Sequence, residues 1–177
     1  MTLLNTVTPE EATGKVGELY RTFQDTIGFI PNAFSAMSVS PEILEQHWAY
    51  IGYYLNHPTL SPRLTAMIRL LVSQQAQCDY CINLNTALLI KEAGLTPEQI
   101  TAMKADPAAA PVDEKEKALL LFVLKGTADP HGITEADIQP LRELGYSDSD
   151  IHDALNHGAR QVSLDIMLNA FKVENDF

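Results

Sequence analysis

Hydroxyl residues followed by proline punctuate this chain four times, and they constrain its fold more than any other feature. They are Thr8-Pro9, Ser40-Pro41, Ser61-Pro62 and Thr96-Pro97. A serine or threonine can cap the unpaired N–H groups at a helix start. Proline suits the first helical position, because the N–H it lacks would have no partner there. Thr8-Pro9-Glu10-Glu11 and Thr96-Pro97-Glu98-Gln99 add an acid or amide at the third position, the capping-box arrangement. Thr134-Glu135-Ala136-Asp137 and Ser147-Asp148-Ser149-Asp150 place early acids where the helix dipole favours them. Gly28, Gly94, Gly126 and Gly145 stand where helices are expected to stop.

Between these marks the apolar spacing is helical. Ile43, Leu44, His47, Trp48, Ile51 and Leu55 trace one face, and Ile151, Ala154, Leu155, Gly158 and Val162 trace another. Strand alternation and Asn-Gly or Asp-Gly hairpin turns are missing from the sequence. The pattern predicts an all-α bundle of eight or nine helices, over about 9–26, 32–39, 41–56, 62–76, 79–93, 97–104, 114–127, 135–144 and 148–172. With 177 residues, 46% of them hydrophobic, one core and one domain over 1–177 are expected. The Asp106 to Asp113 stretch, with Pro107 and Pro111, reads as a linker between helical groups.

Composition narrows the partners. The net charge of -11, from 12 basic and 23 acidic residues, repels phosphate backbones, so neither nucleic acid nor an anionic membrane surface is an expected partner. No apolar run reaches membrane-spanning length, and the start of the chain lacks the basic and apolar regions of a secretory signal. A cytoplasmic, reducing compartment is the expectation.

The only two cysteines are Cys78 and Cys81, three positions apart. In a reducing compartment that spacing suggests redox or metal work rather than a structural staple. A second helix is expected to begin at or near Cys78, after a polar turn from Gln74 to Gln77. A cysteine at a helix N-terminus faces free N–H groups and the positive dipole end, which favour thiolate. Cys81 falls one turn further on the same face, close enough to form a disulfide. A pair of buried apolar thiols and half of a metal site are the other readings. Zinc takes four ligands, and no second Cys or His pair has matching spacing, so no metal is expected. No phosphate loop, Ser-His-Asp pattern or HExxH motif is present, and no cofactor is expected. The more exposed thiol is expected to attack and the other to resolve.

Cys78-Asp79-Tyr80-Cys81 lies between a capped helix and an alanine- and leucine-rich one ending at Glu92-Ala93-Gly94-Leu95. In this setting it resembles the carboxymuconolactone decarboxylase/AhpD-like (alkylhydroperoxidase) family. Gly28-Phe29-Ile30-Pro31-Asn32-Ala33-Phe34, with Met37 and Ser40-Pro41-Glu42, is similar to the opening of its peroxidase-related branch. Glu114 to Phe122, and Leu141-Arg142-Glu143-Leu144-Gly145-Tyr146-Ser147-Asp148, resemble its later helix starts.

The resemblance implies an all-α fold assembled into trimers or hexamers. It also implies hydroperoxide reduction by the two cysteines, assisted by a proton relay of a glutamate and a histidine. The relay positions here hold Ala66 and Asn85. Asn85 can hydrogen-bond a thiolate but cannot cycle a proton near neutral pH, and Ala66 can do neither. The resemblance makes Cys81 the nucleophile and Cys78 the resolving thiol, whereas helix position favours Cys78 as the more acidic of the two.

Cys78, Cys81, Asn85 and Tyr80 are therefore the candidate site residues. Tyr80 lies between the cysteines as a packing aromatic or a proton donor, and Asn85 as a polar contact or a group orienting the thiols. His47 and His157 are candidates for a replacement base; His57 and His131, beside prolines, are expected in solvated turns.

The function expected is thiol-disulfide oxidoreduction of peroxiredoxin type, on a small hydroperoxide or a disulfide, with a separate thiol reductant. A non-catalytic oligomeric binding protein and a lactone decarboxylase of the same fold are the alternatives. The crowded apolar helix 41–56, with Trp48, Tyr50, Ile51, Tyr53, Tyr54 and Leu55, adds the expectation of a homo-oligomer.

Overall fold

The computed structural model describes residues 2–176, and all nine α-helices found among them correspond to predicted ones. The chain divides into two compact units.

The first unit comprises the chain up to Asn56 and the segment from Met167 onward. It holds α1 (Gly14–Ile27), α2 (Asn32–Met37) and α3 (Pro41–Leu55). Phe23 is fully buried at its centre, 4.6 Å from the Phe34 ring and 5.1 Å from the Trp48 ring. The extended N-terminal segment is held by backbone bonds to side chains. Tyr20 donates to the Val7 carbonyl, and Val7 N–H donates to Ser38 Oγ. On α3, Leu44 and Tyr54 are buried, while Ile43, Tyr53 and Leu55 are exposed on the single chain.

The second unit runs from His57 to Ile166. It contains α4 (Pro62–Gln75), α5 (Asp79–Lys91), α6 (Pro97–Ala105), α7 (Glu114–Ala128), α8 (Glu135–Glu143) and most of α9 (Asp148–Ala170). Its core includes Leu64, Met67, Ile68, Leu70, Leu89, Met103, Leu119 and Leu120, all almost wholly buried.

Most of the predicted helix starts appear as local bonds. Ser61 accepts from Leu64 N–H, and Thr96 with Gln99 and Thr134 with Asp137 form full capping boxes. Ser147 and Asp150 bond each other's backbone N–H groups ahead of α9.

Three expectations are corrected, and the linker between α6 and α7 gains a short turn. α1 starts at Gly14 rather than at the Thr8 cap. Thr8 Oγ1 instead donates to Glu11 Oε2 within a turn. Gly126 lies inside α7, where a Cβ would come within 2.7 Å of Leu155 Cδ1, so packing and not helix termination demands glycine there. The proposed linker carries a 3-10 turn over Pro107–Ala109, and Arg63 donates to its Pro111 carbonyl. His57 is not solvated: its side chain is 3% exposed, its Nδ1 accepts from the N–H groups of Thr59 and Leu60, and its Nε2 faces Asp153 at 3.4 Å.

Candidate functional site

The site grows from the turn between α4 and α5. Ala76 ends α4, and Gln77 adopts a left-handed backbone (φ 52°). That φ is costly for a residue with a side chain, and here it swings the chain so that Cys78 becomes the N-cap residue of α5. Cys78 N–H donates back to the Ser73 carbonyl at 3.0 Å. Cys81 follows as the third residue of α5, so both thiols sit at a helix N-terminus on one face.

Both cysteines are free thiols, and they are only 1% and 2% exposed. Burial of both removes the exposed-versus-buried distinction by which an attacking thiol was to be recognised. Gln77 and Asp79, on either side of Cys78, are exposed, so this thiol lies just beneath the surface. The two also differ in acidity. The Cys81 side chain, bonding toward the Cys78 sulfur, holds Cys78 below the ordinary thiol range; the same interaction, reinforced by burial, pushes Cys81 far above it. Cys78 is thus the more acidic thiol of the pair, as its helix position suggests.

A third group joins them. A carboxylate oxygen of Asp165, on α9, and the two sulfurs all lie within 4.8 Å of one another. Asp165 is fully buried. Its Oδ1 accepts from Ser73 Oγ (2.8 Å) and Gln161 Nε2 (2.8 Å), while its Oδ2 has no hydrogen-bond partner. Burial raises its pKa above the ordinary carboxylate value, against the lowering effect of the Gln161 and Ser73 donors and of the two thiols. Two thiols and a carboxylate make three potential metal donors. Among the described residues no other Cys, His, Asp or Glu completes the four that a closed zinc site requires.

Asp165 ends a polar seam at a four-residue interval along α9. His157 Nε2 lies 3.3 Å from both Arg69 and the Thr65 carbonyl, Gln161 donates to Ser73 Oγ at 3.0 Å, and Asp165 takes the Ser73 hydroxyl. Asn85 adds α5 to the network: its Oδ1 accepts from Arg69 Nε at 2.7 Å, and its Nδ2 donates to the Cys81 carbonyl at 2.8 Å. Asn85 therefore braces the backbone of Cys81 through its amide. Tyr80 is buried beside the pair, and Ala66 is buried on α4. Burial, followed by the nearby Arg69 charge, lowers the pKa of His157 to about 3, so it stays neutral around pH 7. His47 lies in the first unit, edge-on to Phe34 and stacked on Tyr50.

Residues 41–125 match the carboxymuconolactone decarboxylase family, a span that includes Cys78, Cys81 and Asn85. That match covers just under half of the chain, the part that carries both thiols. No curated protein matches it. Among solved structures, the alkylhydroperoxidase AhpD core of an uncharacterized peroxidase-related protein from Ralstonia eutropha JMP134 is 24% identical. That alignment covers 99% of this chain and 92% of the other, with a TM-score of 0.87. A peroxidase-related protein from Silicibacter sp. TM1040 is also 24% identical, over 98% of this chain and 91% of that one, at TM-score 0.83. An AhpD-type antioxidant-defence candidate from Agrobacterium tumefaciens is 20% identical, covering 80% of this chain and 95% of the other, at TM-score 0.66. These likenesses show that the AhpD-like fold extends beyond the matched segment.

Asp165 falls outside residues 41–125. The sequence signal that could have found it is the run His157, Gln161, Asp165. These are three polar residues at helical spacing, beside the apolar face already traced through Ala154, Leu155, Gly158 and Val162.

Of the remaining expectations, no described helix is long and apolar enough to cross a membrane.

Proposed function

We propose that this AhpD-like protein is a thiol-disulfide oxidoreductase that reduces a small hydroperoxide through Cys78 and Cys81, and is itself re-reduced by a thiol donor. The observation that carries this reading is the pairing of two free sulfurs within 4.8 Å, one with a lowered and one with a raised pKa. A nucleophile needs the thiolate form, and a resolving thiol must wait protonated beside it. Near-complete burial favours a small oxidant over a protein disulfide, whose attacking thiol must approach the sulfur in line. The exposed Ile43, Tyr53 and Leu55 on α3 support assembly into a closed homo-oligomer as part of the same proposal.

In this scheme the Cys78 thiolate attacks the peroxide oxygen, Cys81 resolves the sulfenic acid, and the product is an intramolecular disulfide. Treating reduced protein with one equivalent of hydrogen peroxide should remove two hydrogens from the tryptic peptide 70–91, which holds both cysteines. In the Cys81→Ser variant, a sulfenic-acid reagent should label Cys78. Stable sulfonic acids with no disulfide, or no peroxide consumption at all, would overturn the reading.

A further inference from the structure

Thiol chemistry at this site has a proton problem. Two protons must leave the sulfurs as the disulfide forms, yet neither sulfur reaches solvent to a useful extent. The family's relay positions offer nothing that can carry them. Ala66 has no acceptor, and the Asn85 amide is engaged with Arg69 and the Cys81 carbonyl. His157 is in the same seam but is held neutral well below pH 7.

One ionisable group is left within the cluster. We propose that Asp165 is the proton carrier of the Cys78/Cys81 pair, taking over from α9 the acid-base task for which Ala66 and Asn85 are unsuited. The inference rests on the redox reading above and supplies its missing base.

Three features of the geometry argue for it. Asp165 is fixed by Ser73 and Gln161 through one oxygen, which leaves the other uncommitted. It lies against both sulfurs, so one carboxyl can serve both steps. Its burial weakens it as an acid and brings its proton affinity closer to that of a thiol, which eases transfer in either direction. The groups facing it are Ser73 from α4, Cys78 and Cys81 from α5, and Gln161 on its own helix. Arg69 and His157 stand further along the seam.

The proton balance closes over one turnover. The Asp165 carboxylate takes the Cys78 proton. The thiolate attacks the terminal oxygen of the hydroperoxide, an S–O bond forms, the O–O bond breaks, and the leaving alkoxide takes the proton from Asp165 to give an alcohol. Asp165, again a carboxylate, then accepts the Cys81 proton. The Cys81 thiolate attacks the sulfenic sulfur, the S–S bond forms, and hydroxide leaves with the proton from Asp165 as water. The peroxide is reduced by two electrons and the two thiols are oxidised by two.

The test measures single-turnover disulfide formation with hydrogen peroxide, across pH, in wild type and in Asp165→Asn. The variant keeps size and polarity but cannot cycle a proton. Loss of a positioned acid-base group costs about a hundredfold or more, so the rate should fall by that factor and lose the pH limb due to the carboxyl. Asp165→Glu should recover part of it. Should Asp165→Asn not fold, time-resolved infrared spectra of the wild type decide: a buried protonated-carboxyl band should rise and decay while the disulfide forms. A wild-type rate and pH profile in Asp165→Asn, or no transient carboxyl band during oxidation of the wild type, would overturn the proposal while leaving the redox pair intact. A wild type that forms no disulfide would overturn the redox reading itself, and this inference with it.

Discussion

Helix α9 meets its neighbours through two faces of opposite character. Toward α7 it presents Leu155 and Gly158. A Cβ on Gly158 would fall 2.5 Å from Val123 Cγ1 and 3.0 Å from Thr127 Cγ2, and a Cβ on Gly126 across the contact would fall 2.7 Å from Leu155 Cδ1. Toward α4 it presents His157, Gln161 and Asp165, each buried and each bonded to a polar partner on α4. The first face is apolar and so close that side chains give way to glycine. The second keeps polar groups buried, which is costly unless each finds a partner. The comparison teaches that one helix can be a structural strut on one side and a chemical arm on the other, with the strut fixing where the arm reaches.

The sharpest way to break this comparison is to overfill the apolar face. Gly158→Val puts branched carbons where Val123 already stands. Overpacking of this kind costs about 1–3 kcal/mol, and the better helix propensity of valine returns only a few tenths. We expect a net loss of about 2 kcal/mol in urea unfolding. An unchanged midpoint would mean that the α7–α9 contact is looser than the geometry indicates.

The polar face should announce itself through pH. His157 has a folded pKa of about 3 against an ordinary 6.5, so it is neutral in the fold while the unfolded chain gains a proton on acidification. Its contribution is fully present above pH 6.5 and is lost as pH falls from there toward about 3. Between pH 6.5 and pH 5 the loss should reach roughly 1.5 kcal/mol. Asp165 works the other way. Its raised value means that the penalty for its charge is present at neutral pH and is relieved as pH falls through the folded value. His157→Gln should therefore flatten the acid slope of stability, and a slope identical to wild type would remove His157 from this account.

The smallest effect is expected at Ser73, which links Asp165 and Gln161. Ser73→Ala leaves Asp165 Oδ1 with the Gln161 donor alone. With Gln161 still bonded to the carboxyl, the loss is that of an ordinary hydrogen bond, about 0.5–1.5 kcal/mol, so unfolding should become easier by about that amount at pH 7. No loss would show that the single bond from Gln161 is enough to hold the carboxyl in place.

The helices were legible in the sequence because their signals are local. Ser61, Thr96 and Thr134 reach N–H groups only three positions away, and the amphipathic spacing needs no knowledge of what it packs against. The local signals misled where tertiary packing competed. Gly126 looks like a helix stop on its own, but it answers to Leu155. The Thr8 motif reads as a cap, yet its hydroxyl closes a turn with Glu11. His57, between an asparagine and a proline, reads as a turn residue in water; only the fold brings Asp153 to it.

The chemistry divides along the same line. By itself the sequence determined that two thiols share one turn at the start of a helix, because a spacing of three residues is a property of the helix alone. Only the tertiary structure decided what stands beside them. Ser73 and Asp165 are 92 positions apart, and nothing in either neighbourhood specifies the other. Their meeting depends on how α9 crosses α4, beside the close glycine contacts that α9 makes with α7. Burial likewise cannot be read from a cysteine's neighbours in sequence. The environment that weakens Asp165 as an acid and shields both thiols exists only once the helices have packed.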